Sequence, residues 1–128
     1  MKEIIGAPLV LANGTQLPLS RAVAANGLVF VSGQLGFGDD ARLVDGGVRE
    51  QTRQALLNIE AILKQAGATL DDIVKVTGWL VREEDFAAFN EVYGTFFDAS
   101  PPARSMVVSK LLVPGALVEL EAIATVKG

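Results

Sequence analysis

The sequence predicts an α+β fold, a mixed β-sheet with two helices packed on one face. Three observations predict it. Residues 48–66 and 83–97 repeat apolar side chains at helical spacing. The other apolar runs are short, and together they give the order strand, strand, helix, strand, helix, strand, strand. A chain of 128 residues, 50% of them hydrophobic, is long enough for one core, so residues 1–128 are expected to form a single domain.

Glu3–Ile5 could add a short first strand. Residues 7–18 read as a surface loop, broken by Pro8, Asn13, Gly14 and Pro18. Asn13-Gly-Thr15 has the form of a glycosylation sequon, which carries no weight without secretion. Ser20 to Ala25 reads as a strand, and Asn26-Gly27 is a two-residue hairpin signal, because both central residues of that turn need positive φ. Leu28-Val-Phe-Val31 returns. It is apolar at every position and so is expected to be buried on both faces. Ser32-Gly-Gln-Leu-Gly-Phe-Gly-Asp-Asp40 ends that strand. Its glycines do not make a phosphate cradle, since no helix opens directly after them and two aspartates follow. They suit a turn, or close approach of backbone amides to a small ligand.

In the helix of residues 48–66, Ala55, Leu56, Ile59, Ile62, Leu63 and Ala66 form the apolar face, and Arg49, Glu50, Arg53 and Lys64 the solvated one. Gly67 is placed to end it. Asp71-Asp72 turns into a strand from Ile73 to Val81, where alternation places Trp79 on the face of Ile73, Lys75 and Thr77. A packed core or interface tryptophan is favoured there over a ligand platform. Glu83 to Phe97 is the second helix, with Phe86, Phe89, Tyr93 and Phe96 on one face as core. Glu83, Glu84 and Asp85 complement its dipole, and the segment from Asp98 to Pro102 stops it.

Two strand-like runs close the chain, one beginning at Arg104 and one spanning Leu117 to Val126. Glu119 and Glu121 share a strand face, opposite Val118, Leu120, Ala122 and Ala124. A guanidinium suits a substrate carboxylate, and a strand carboxylate suits proton transfer. The same three charges would also fit a plain solvated sheet face. Met106 and Val108 share the face of Arg104, and Val107 lies on the other. Two helices cover one sheet face and no third helix is available, so a further subunit is expected to cover the second.

Composition narrows the chemistry. The net charge is −4 with no basic stripe, which disfavours nucleic acid and anionic membrane surfaces as partners. With no cysteine and no histidine there is no thiolate nucleophile, no Ser-His-Asp arrangement and no common zinc ligand set. Catalysis would fall to carboxylates, arginine, hydroxyls and backbone, and no metal or other cofactor is expected. No signal-peptide run or spanning stretch is present, so a cytoplasmic location is expected.

Pro102-Ala-Arg-Ser105, followed by Val118-Glu-Leu-Glu-Ala-Ile-Ala124, resembles the signature of the Rid (YjgF) family of reactive intermediate deaminases. Val31-Ser-Gly-Gln34, Gln51-Thr-Arg-Gln-Ala-Leu-Leu-Asn-Ile59 and Phe86 to Phe97 resemble its strand-end motif and two helices, so the likeness spans nearly the whole chain. It implies a chorismate-mutase-like fold, a homotrimer with ligand clefts between subunits, and a last strand inserted between earlier ones. A plain hairpin about Pro114-Gly115 would instead leave Arg104 roughly 20 Å from Glu119, at about 3.3 Å per residue.

The implied activity is hydrolysis of enamines and imines of amino acids, such as 2-aminoacrylate, to 2-oxo acids and ammonia. By family position Arg104 would bind the substrate carboxylate and Glu119 would orient water, with Glu121 a second candidate. Ser32, Gly33, Leu19, Phe86, Asn90 and Met106 would line the substrate site, and Gln34 would be structural. Leu19 stands where many deaminating members have tyrosine, and Met106 where cysteine is common. Both changes imply a drier pocket suited to imines with larger apolar side chains. A non-catalytic binding or regulatory trimer is the alternative, and a ribonuclease or translation inhibitor a further one.

Overall fold

The computed structural model describes residues 1–126. Strands β1 (Glu3–Ile5), β2 (Ala22–Ala25) and β3 (Leu28–Gln34) form an antiparallel meander. Asn26 and Gly27 join the last two with φ of 52° and 78°, as their hairpin turn requires. Helix α1 (Gly47–Gln65), β4 (Ile73–Leu80), α2 (Phe86–Phe96), β5 (Ala103–Val108) and β6 (Val118–Thr125) follow. The strand order is β1-β2-β3-β6-β4-β5. β5 is parallel to β4, with α2 as the crossover, and β6 is antiparallel to both β3 and β4. The last strand is therefore inserted between earlier ones, and the plain hairpin with β5 does not form.

Alternation in β6 explains why it is central. Val118, Leu120, Ala122 and Ala124 are all buried under the helices. They meet Val29 and Val31 of β3, Val76 and Leu80 of β4, and Leu56, Ile59 and Leu63 of α1 in one core. Each large side chain fully buried there contributes about 1.5–3 kcal/mol. Gln51, buried on α1, accepts from the Leu117 amide at 2.8 Å and donates to the Gly115 carbonyl at 3.1 Å. It thus pins the segment that leads into β6.

Several expectations are corrected. β3 does not end at Val31 but runs on to Gln34 through a bulge. Trp79 shares its face with Lys75 and Thr77 but not with Ile73, because an irregularity between Ile73 and Lys75 turns Ile73 into the core. The acidic trio forms its own 3-10 turn ahead of α2, where buried Asp85 pairs with Arg82 at 2.7 Å. Asp85 is therefore held by an ion pair and not by the helix dipole alone. Phe89, Tyr93 and Phe97 are the buried aromatics of α2 and its end, while Phe86 is 42% exposed at the β5 edge and Phe96 is half-buried.

Leu28–Val31 is buried on one face only. Val29 and Val31 are in the core, but Phe30 on the far face is 43% exposed. Ile4 and Val107 are exposed on that same face, beside half-buried Val23, Leu28, Trp79 and Ile123. Nothing in the chain covers this apolar side of the sheet among the described residues. None of the described helices is long and apolar enough to cross a membrane.

Candidate functional site

Arg104 is paired in register with Val76, whose side chain is in the core, so it points to the helix side of the sheet. Because α2 is the crossover between β4 and β5, its first two turns lie against that position. Arg104 Nη1 donates to Asn90 Oδ1 at 2.9 Å. Its guanidinium carbon lies 5.7, 5.5 and 4.8 Å from the ring centres of Phe86, Phe89 and Tyr93. Such contacts stabilise a cation by about 0.5–2 kcal/mol each and fix its plane. None of the ion pairs among the described residues uses Arg104. One of its five donors is engaged by Asn90, which leaves the others for a ligand. Met106, two residues on, points the same way, and its sulfur lies over Gly78 where a Cβ would stand.

Glu119 is on the opposite face, in register with Trp79, and Glu121 is in register with Thr77. Opposite these glutamates β3 bulges: Ser32 and Gly33 lie between Val31 and Gln34, while only Glu121 lies between their β6 partners Ala122 and Leu120. The bulge brings the Gly33 backbone under the Glu119 carboxylate, whose Oε2 occupies the place of a Cβ at Gly33. Glu119 is half-buried and has no hydrogen-bond partner among the described residues. Burial, and then the neighbouring Glu121 charge, raise its pKa above the ordinary 4.5.

Ser32 Oγ donates to the Ser20 carbonyl at 2.6 Å, and the Ser32 amide to the Arg21 carbonyl at 2.9 Å. These bonds tie the bulge to the loop that carries Leu19, itself 46% exposed. The Gln34 amide donates to the Ser32 carbonyl at 3.1 Å, a supporting contact.

The expected site residues thus fall into two groups. Arg104, Asn90, Phe86 and Met106 gather on the helix side at the β5 edge. Glu119, Gly33, Ser32 and Leu19 gather at the β3 bulge on or beside the uncovered face. Within one chain Arg104 and Glu119 are on opposite faces, two strands and three residues apart, roughly 14 Å between Cα atoms. The structure does not bring them together in one copy. Sequence reasoning treated Phe89 and Tyr93 as core only, yet both also seat the guanidinium. The Tyr93 hydroxyl is buried with no partner among the described residues, and its pKa is raised by burial, an effect that Arg104 offsets in part. The signal was available: residues 86, 89, 90 and 93 share one helical face.

Comparison with known proteins adds the following. Residues 12–126 match the family described as Endoribonuclease L-PSP. A RutC family protein of Pyrococcus horikoshii is 41% identical over 128 residues, covering 97% of this chain and 98% of its own. The 2-iminobutanoate/2-iminopropanoate deaminase of Mus musculus is 43% identical over 108 residues, covering 84% of this chain and 80% of its own. Among solved structures, E. coli TdcF with bound serine has a TM-score of 0.85 at 34% identity, covering 98% of this chain and 99% of its own.

Proposed function

From the premise that the chain belongs to the endoribonuclease L-PSP family, which includes the Rid (YjgF) proteins, we propose that it hydrolyses 2-imino acids and their enamine tautomers to 2-oxo acids and ammonia. The observation that carries the reading is the pair of half-sites, one presenting a caged guanidinium and the other a half-buried carboxylate seated over the Gly33 backbone. Each is incomplete alone. A second copy laid on the uncovered sheet face would set Glu119, Gly33, Ser32 and Leu19 of one subunit against Arg104, Asn90, Phe86 and Met106 of the next. A homotrimer of this kind would hold its clefts between subunits.

In that cleft Arg104 grips the substrate carboxylate through its free donors, already oriented by Asn90 and three rings. The enamine takes a proton from solvent at its terminal carbon to become the iminium ion, the same species that protonation of the imine nitrogen gives. Glu119, as the carboxylate, accepts a proton from water as the water oxygen bonds to the iminium carbon, giving a neutral carbinolamine. Glu119 then delivers its proton to the amine and takes the hydroxyl proton as the carbon–nitrogen bond breaks. Ammonia takes the proton held by Glu119 and leaves as ammonium, and the 2-oxo acid remains. A carboxyl whose pKa is raised above the ordinary carboxylate value by burial and the Glu121 charge suits both directions of transfer.

A non-catalytic receptor is the second reading, favoured by the serine bound to the related TdcF of E. coli. A carboxylate receptor needs the arginine but has no use for Glu119 over Gly33. RNA cleavage, which the family description names, finds no support in a net charge of −4 without histidine. The test generates imino acids in place with an amino-acid oxidase and traps them with semicarbazide. The protein should suppress the trapped adduct, and Arg104→Ala and Glu119→Ala should each abolish that effect. Suppression that survives both substitutions places the chemistry elsewhere.

A further inference from the structure

Beside the Arg104 half-site lies an apolar groove of about 410 Å³ lined by Leu80, Phe86, Met106, Val107 and Val108, with Glu83 and Glu84 at its lip. The exposed Phe86 ring that forms one wall is also 5.7 Å from the Arg104 guanidinium carbon. Met106 and Val108 continue from Arg104 on the same strand face, at steps of about 7 Å. Gly78 lets Met106 lie flat as the floor, since any side chain there would meet the Met106 sulfur. No cation lines the groove among the described residues. Arg82, next to the lip, is already paired with Asp85. Glu83 and Glu84 are exposed and form no ion pair among the described residues.

We infer that this groove takes the substrate side chain and that its acidic lip sets the class: extended neutral, apolar side chains are accepted and side chains ending in a carboxylate are rejected. The inference rests on the imine-hydrolase reading and deepens it. With the substrate carboxylate on Arg104, the side chain points away from the positive end of the site and toward the negative one. A methionine- or leucine-derived imine meets Phe86, Met106 and Val108. An alanine-derived imine leaves the groove empty. A glutamate-derived imine brings a second negative charge toward Glu83 and Glu84, which no close ion pair neutralises among the described residues, although the Arg82 charge is felt at Glu84.

Glutamine- and glutamate-derived imines differ in charge and hardly in shape, so they isolate the electrostatic part. Imines are generated from methionine, glutamine, glutamate and alanine with matching oxidases, and consumption is read by semicarbazide trapping. Methionine-derived imine is expected to be consumed at least about tenfold more efficiently than alanine-derived. Glutamine-derived imine is expected to exceed glutamate-derived by on the order of fivefold, a ratio that shrinks with added salt. The double substitution Glu83→Gln/Glu84→Gln should bring that ratio close to one. Calorimetric binding of the corresponding 2-oxo acids reads the same preference without turnover.

Equal use of all four imines, or a glutamine-to-glutamate ratio unmoved by the double substitution, overturns the inference and leaves the hydrolase reading standing. Absence of turnover on every imine overturns the hydrolase reading, and the binding series then decides the groove by itself.

Discussion

Replacing Gly33 with alanine tests the chemistry without breaking the fold. The backbone at Gly33 is not in the left-handed region, so alanine brings no conformational strain there. The new Cβ would lie 3.0 Å from Glu119 Cδ and 3.4 Å from Cγ, and closer still to Oε2. Ordinary contact between such atoms is about 3.5–4.0 Å, so the carboxylate must retreat by on the order of 1 Å. A displacement of that size at a reacting group costs about 10²-fold in rate.

The stability cost should stay modest. The clash falls on the far end of a flexible side chain, and the loss of glycine freedom in the unfolded chain offsets about 0.4–1 kcal/mol of it. Even overpacking of about 2 kcal/mol would lower Tm by less than about 10 °C. Imine consumption and a thermal melt on the same preparation separate the two effects. A folded Gly33→Ala protein with undiminished activity would refute the role given to the Glu119 carboxylate.

Arg104→Ala should lower kcat/KM at least tenfold, because a substrate carboxylate left without its partner forfeits about 2–5 kcal/mol. Arg104→Lys should recover only part of this, since lysine cannot bind Asn90 and a carboxylate in one plane; initial rates on one imine decide it. Glu121→Gln removes the like charge that helps to hold the Glu119 pKa up, so the acidic limb of the pH–rate profile should move to lower pH; an unmoved limb would mean that another group titrates. Glu119→Gln should raise stability near neutral pH. The native state holds the Glu119 proton more tightly than the unfolded chain does, so this group's contribution is full below 4.5 and is lost as pH rises through the native pKa. Denaturant melts at pH 4 and pH 7 should show the gain at the higher pH only.

How far the sequence could be read depended on how regular each segment is. β6 was legible because its alternation of buried aliphatics and outward glutamates is unbroken, and α1 because its apolar stripe is continuous. The family likeness supplied the insertion of the last strand between earlier ones, which local pattern could not; the structure shows these to be β3 and β4. The bulge at Ser32–Gly33 was missed because one extra residue leaves no periodic trace, and the irregularity after Ile73 was missed for the same reason. Phe86 fits the helical stripe but sits where the sheet ends, so it has no core to enter. The separation of Arg104 from Glu119 was legible in part. Val76 in register with both Arg104 and Ala122 puts the arginine on the helix side, a relation that exists only once β4 is known to lie between β5 and β6.

The most direct test of a site built from two copies mixes two inactive proteins. Arg104→Ala and Glu119→Ala subunits are each expected to be inactive alone. Refolded together in equal amounts, they should recover about a quarter of the unsubstituted activity, since a random cyclic assembly gives that share of clefts one intact Arg104 and one intact Glu119. Mixed assemblies that form, as mass measurement would verify, and yet stay inactive would contradict an Arg104–Glu119 site shared between subunits.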